Sequence, residues 1–99
     1  MDDREDLLFK ALADRTRRTL LDALVERDGQ TLFELCGRMA SVHGLASSRQ
    51  AISQHLDVLE AAGLVRVRRE GRHRFHDVDT TPLRPLRERW LTPDERTDP

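Results

Sequence analysis

The sequence is short of the features that a disulfide framework, a membrane anchor or an enzyme would need. Cys36 is the one cysteine in 99 residues, so no internal disulfide can form. No run approaches the ~20 apolar residues of a bilayer span. The acidic start, Met1-Asp2-Asp3-Arg4-Glu5, lacks the basic and apolar regions of a secretory signal, and the chain is expected in the cytosol. A Gly-rich phosphate loop, paired carboxylates in an evident cleft and a nucleophile with a recognisable base are all missing. The reading is therefore of a non-enzyme without a cofactor. Lysine is nearly absent as well, Lys10 standing against sixteen arginines. Genomic base composition produces such a preference as readily as a nucleic-acid partner does, so arginine usage alone carries no argument.

Where the arginines stand is more informative. The chain has a formal net charge of −1, which excludes a uniformly basic protein but not a local patch. Between Ala46 and His76, Arg49, Arg66, Arg68, Arg69, Arg72 and Arg74 outnumber Asp57, Glu60 and Glu70, while the remainder of the chain is net acidic. One short domain is expected over residues 1–91, with a polar, Pro-bounded tail over 92–99. A domain of this size buries a modest share of its surface, which favours help from a second chain.

The stretch from Ser47 to Gly63 organises the rest. Ile52, Leu56 and Leu59 recur at i, i+4, i+7 and make one buried helical face. Gln50, Ser53, Gln54 and Asp57 fall on the opposite face, where short polar and amide groups point outward. Ser47 with Gln50 fits a capping box, Ser48 is the other possible cap, and Gly63 suits the left-handed stop after the last turn.

Ahead of this helix, Glu5 to Ala13 carries Leu7, Leu8, Phe9, Ala11 and Leu12, more apolar positions than a small core needs. Asp14 can cap a second helix with Leu20, Leu21, Leu24 and Val25 as its stripe, ending near Asp28-Gly29. Thr31 and Glu34 form a capping box for a third, in which Leu32, Leu35, Cys36, Met39 and Val42 keep helical spacing. Gly44 ends it, and Gly44 to Ser47 leaves a four-residue turn of the helix-turn-helix kind.

Beyond Gly63 the period changes to two. Leu64-Val65-Arg66-Val67-Arg68-Arg69 and His73-Arg74-Phe75-His76-Asp77-Val78 alternate as strands do, joined by a short loop, Glu70-Gly71-Arg72. An arginine-bearing ribbon directly after an outward-reading helix is the wing of a winged helix. Thr81 and Pro82 then start a last helix, Thr as cap and Pro at the first position, with Leu83, Leu86 and Trp90 on one face. The expected fold is mainly α with a β-hairpin, a winged helix-turn-helix of order α-α-α-α-β-β-α. The surplus apolar residues Leu7, Leu8, Leu12, Leu83, Leu86 and Trp90 predict a two-fold dimer through the terminal helices.

Leu12 to Arg18, Arg49 to Val65 and Arg69 to Arg72 together resemble the ArsR/SmtB-type winged-helix transcriptional repressors, over nearly the whole chain. The resemblance implies a homodimer that binds operator DNA, with the terminal helices as its interface, released by an inducer or metal where there is one. The metal-sensing signature is not matched. The Cys-x-Cys pair of such members falls where this chain reads Glu34-Leu35-Cys36-Gly37-Arg38, and no histidine follows His76 for a site on the last helix. His73 and His76 point to opposite faces of one strand, so no metal site is expected. Cys36 and His55 read as packing residues. Asp57 departs from the lysine often found at its position, weakening phosphate attraction there.

The expected function is sequence-specific recognition of double-stranded DNA. Ser48, Arg49, Gln50, Ser53 and Gln54 would enter the major groove, and Arg68, Arg72 and Arg74 would hold the backbone or minor groove. An inducer of unidentified chemistry is the further partner. The alternative is a winged-helix protein-interaction module whose arginines face an acidic partner.

Overall fold

The computed structural model describes residues 3–91; the polar tail expected at 92–99 lies outside them. Five α-helices and one hairpin follow in the expected order: α1 Asp3–Leu12, α2 Arg15–Glu26, α3 Leu32–Ser41, α4 Arg49–Ala61, β1 Val65–Glu70, β2 His73–Val78 and α5 Arg84–Trp90. A short 3₁₀ turn, Thr81–Leu83, leads into α5.

The helix starts are set by local chemistry. The Asp14 carboxylate accepts from the Arg17 backbone N–H at 3.0 Å and caps α2. Thr31 and Glu34 cap each other's backbone N–H groups, at 3.2 and 3.0 Å, to open α3. α4 closes on Gly63 at φ +79°. The Gly63 N–H donates to the Glu60 carbonyl at 2.9 Å and that of Leu64 to the Leu59 carbonyl at 3.0 Å. This reversal satisfies the last carbonyls of α4 and turns Leu64 straight into the core.

Leu8 and Ala11 of α1, Leu20 and Leu24 of α2, Leu35 and Met39 of α3, and Ile52, Leu56 and Leu59 of α4 meet with Leu64 and Val65 in one cluster. Burying a side chain of this size contributes roughly 1.5–3 kcal/mol. α4 thus sits on three helices through its inner face while its outer face stays in solvent.

Several local expectations are corrected. Ser48, not Ser47, caps α4, its Oγ accepting from the Ala51 N–H at 3.1 Å; a cap must sit one residue before the first helical φ/ψ, and Arg49 takes that place. Helix α3 stops at Ser41, so the connection to α4 runs over 42–48 and is longer than four residues. Val42 leaves the helix and is exposed, as is Val25 on α2. Glu70 pairs with His73, which shortens the hairpin loop to Gly71-Arg72. Gly71 supplies the positive φ that a two-residue loop requires at its first position. Thr81 does not cap α5: its backbone N–H and hydroxyl both donate to the Asp79 carboxylate, at 3.0 and 2.7 Å, and the chain makes a 3₁₀ turn before the helix begins.

Candidate nucleic-acid interface

The outer face of α4 and the hairpin stand on two sides of an open groove of about 620 Å³. Arg49, Ser53, Asp57 and Glu60 line it from α4, and Val67, Arg72, Arg74 and Phe75 from the hairpin. The first turn of α3 closes the third side with Thr31, Phe33 and Glu34. Ser48, Gln50 and Gln54 lie outside this groove on the exposed side of α4, while Ser53 is half-buried within it. The Ser48 hydroxyl oxygen is engaged in capping but keeps its own proton to donate.

The register of the ribbon separates its arginines. Directly paired residues share a face, so Val65, Val67 and Arg69 stand with Val78, His76 and Arg74, and Arg66, Arg68 and Glu70 with Asp77, Phe75 and His73. On the second face Arg68 is fully engaged. Its guanidinium ion-pairs with Asp77, donates to Glu70 at 3.2 Å and lies 5.3 Å from the centre of the Phe75 ring. The Asp77 carboxylate pushes the Arg68 pKa up further. Arg66 is paired too, with Asp79 at 2.8 Å. Arg68 was expected among the DNA contacts; the structure gives it carboxylates of its own. Among the described residues, no carboxylate stands within 4 Å of Arg49, Arg69, Arg72 or Arg74. Among the arginines of α4 and the hairpin, these are the ones without a carboxylate partner.

Two residues of this surface were not among the expected DNA contacts, although Arg69 was counted in the basic patch. Arg69 faces Arg74 across the strands, which only the register reveals. Phe33 is 76% exposed at the mouth of the groove; the helical spacing that marked Leu32 and Leu35 as core gave the residue between them no role.

The hairpin is held in place from behind. The backbones of His76 and Gln30 bond in both directions, at 2.8 and 3.3 Å, and the Gly29 N–H also donates to the His76 carbonyl at 3.0 Å. The buried His76 ring adds a bond from Nδ1 to the Gln30 carbonyl at 2.9 Å. Since a carbonyl only accepts, Nδ1 carries the proton. The Gln30 side chain in turn donates to the Ala23 and Arg27 carbonyls at the end of α2.

The six residues expected at a dimer face divide. Leu7 and Trp90 are exposed, Trp90 at 60% and with its ring 6.1 Å from that of Phe9. Leu12, Leu83 and Leu86 are half-buried against the chain's own core. Leu8 is 4% exposed and belongs to that core, so it has almost no surface left for a partner. Cys36 is half-buried, and burial pushes its thiol pKa up against a smaller opposing pull from Arg49. Among the described residues, no group of three or more His, Cys, Asp or Glu side chains is placed to hold a metal ion. None of their helices is long and apolar enough to cross a membrane.

A helix-turn-helix domain family matches residues 12–68, from the end of α1 into β1. The fold also superposes on an ArsR-like transcriptional regulator from Rhodococcus sp. RHA1 with a TM-score of 0.74 and 32% identity, covering 87% of this chain and 72% of that one. The chain belongs to the ArsR-type winged helix-turn-helix family. As such it is a DNA-binding transcription regulator. This ArsR-type chain is also 45% identical over 91 residues to the uncharacterized HTH-type transcriptional regulator YuzN of Bacillus subtilis, 92% of this chain and 99% of that protein. It is 33% identical over 76 residues to the transcriptional repressor SdpR of the same organism, 77% of each chain.

Proposed function

We propose that this ArsR-type protein is a homodimeric repressor that binds a palindromic operator in the cytosol, with α4 in the major groove and the hairpin on the backbone or in the minor groove. The observation that carries the reading is the set of unpaired guanidiniums of Arg49, Arg72 and Arg74 around one groove, beside a helix whose outward amides are free. DNA phosphate supplies the anion that the fold withholds from these arginines, and backbone contacts of that kind set register and orientation. Gln50 and Gln54 then reach base edges, glutamine being suited to a paired contact with adenine. Arg69 joins this set by its position opposite Arg74, whereas Arg68 serves the ribbon itself. Leu7, Phe9 and Trp90 form the exposed part of the dimer face, with Leu12, Leu83 and Leu86 at its edge. A two-fold dimer presents two α4 helices to half-sites about 10 bp apart, or a multiple of that spacing.

Selection of bound sequences from a random duplex pool tests the reading. The expected outcome is an imperfect palindrome, bound by a dimer in sedimentation. Enrichment of no sequence would leave the protein-interaction alternative as the better account, and a chain that stays monomeric on DNA would overturn the dimer.

A further inference from the structure

Arg17 lies outside the groove, yet its guanidinium is in contact with both α1 and α4. Its Nε donates to the Ala11 carbonyl and one terminal nitrogen to the Lys10 carbonyl, each at 2.9 Å. Both acceptors belong to the last turn of α1. The other terminal nitrogen lies 3.2 Å from Nδ1 of His55, in the middle of α4. A guanidinium has only donors, so Nδ1 must accept and the His55 ring is neutral with its proton on Nε2. The neighbouring Arg18 reinforces the α1 end through the Leu12 carbonyl at 2.6 Å.

His55 also has a second partner at hand. The Asp14 carboxylate lies 3.9 Å from the same Nδ1 while it accepts the Arg17 backbone N–H and caps α2. Among the described residues, Arg17 is the charged side chain within hydrogen-bonding distance of the ring and Asp14 the carboxylate within 4 Å of it. Residues one turn away on α4 itself, Ala51, Ile52, Val58 and Leu59, carry no charge. The two partners want opposite protonation states. A neutral ring accepts from Arg17; a protonated ring repels Arg17 and donates to Asp14.

We infer that Arg17 and His55 are positioning residues for DNA binding, fixing α4 against the end of α1 through a hydrogen bond that exists only while His55 is neutral. The inference rests on the reading of α4 as the base-contacting helix and of α1 as part of the dimer face. Under that reading, the separation and tilt of the two α4 helices in a dimer are transmitted through this bond. Neither residue lines the groove. Protonating His55 moves its bond from Arg17 to Asp14, which removes the hydrogen-bonded tie between α4 and the end of α1, leaves only their apolar packing, and draws on the cap of α2.

The test compares wild type with His55→Gln, whose side-chain oxygen still accepts from Arg17 but does not titrate in this range, on the duplex enriched by selection, from pH 8 to pH 5.5 at constant ionic strength. Acid strengthens DNA attraction generally, and the glutamine variant measures that background. Equal affinities are expected at pH 8, with wild type falling behind by roughly tenfold at pH 5.5, the scale of losing one charge-assisted hydrogen bond. In Arg17→Met, operator binding should already be weaker at pH 8 and the divergence from an Arg17→Met/His55→Gln double variant should vanish. Circular dichroism melts of each variant separate this from unfolding, and His55→Gln is expected to melt near wild type. Parallel pH profiles for wild type and His55→Gln would overturn the inference while leaving the DNA-binding reading intact. Absence of any preferred duplex at pH 8 would instead remove the reading on which it rests.

Discussion

Arg69 and Arg74 stand directly opposite one another on the two strands of the hairpin, two positive charges in cross-strand register. Like charges in that relation destabilise a ribbon by about 0.2–1 kcal/mol, and no carboxylate among the described residues stands between them. Arg69→Gln or Arg74→Gln is therefore expected to raise the melting temperature at low ionic strength. The gain should disappear near 1 M salt, where the Debye length is ~3 Å. Affinity for duplex DNA should fall in the same variants, on every sequence. A stability gain independent of salt would mean that the two guanidiniums do not repel.

Three further substitutions separate reading, holding and bracing. Gln50→Ala is expected to cost roughly 1 to 3 kcal/mol on the preferred duplex and to relax the preference at one base pair, with little effect on random DNA. Arg72→Ala should weaken all duplexes alike and lower the salt slope by about one, since one fewer counterion is released. Arg68→Ala should leave the salt slope near that of wild type, because its charge is already met by Asp77 and Glu70, while lowering thermal stability through the loss of the Phe75 and Asp77 contacts. Titrations at three or more salt concentrations distinguish the variants. An Arg68→Ala slope matching that of Arg72→Ala would show that Arg68 also meets phosphate.

These contrasts mark where the sequence was legible. Caps are local, a matter of one side chain and a backbone N–H three residues on, so Asp14 and the Thr31–Glu34 box could be read from spacing. The Ile52, Leu56, Leu59 face was equally plain, since period alone defines it. Two adjacent serines offered the same chemistry for the start of α4, and only the backbone decides between Ser47 and Ser48. Val25 fits an apolar stripe but sits past the edge of what neighbouring helices cover, and Val42 falls just beyond the end of α3, where the stripe no longer applies. The fate of Arg68 depends on strand register, which places Asp77 within reach across the hairpin. Arg69 was passed over for the same reason. The bond between Arg17 and His55 spans 38 residues and carries no signature in either segment.

Acid should weaken the fold in a way that the helix caps control. The Arg17 backbone N–H lowers the pKa of Asp14 below its ordinary 3.8, and bonds from Thr31 lower that of Glu34 below 4.5. The folded state therefore holds fewer protons than the unfolded one in this range. The stabilisation is complete above about pH 5, and is lost as pH falls through the ordinary values towards the depressed ones. Asparagine caps nearly as well as aspartate, so Asp14→Asn should be close to wild type in urea at neutral pH but lose stability less steeply below pH 5. Equal acid slopes for the two proteins would remove the Asp14 carboxylate from this account.

Transition metals should leave DNA binding almost unchanged. Cys36 offers one sulfur, and burial disfavours the thiolate that a metal would need. Zinc, cadmium and arsenite titrated into the DNA complex test this. Stoichiometric release that disappears in Cys36→Ser would assign the cysteine a sensing role.

The clasp between Gln30 and His76 bears on how such proteins can be recombined. It joins the corner after α2 to the second strand across 46 residues of chain, and the Val78 N–H donates to the Asp28 carboxylate at 2.7 Å. The hairpin is thus not a cassette. A chimera that transplants residues 64–78 alone into a related scaffold would sever both attachments. One that carries residues 28–30 as well brings the socket with the plug, so exchange of DNA preference between relatives has to be designed as a two-segment graft.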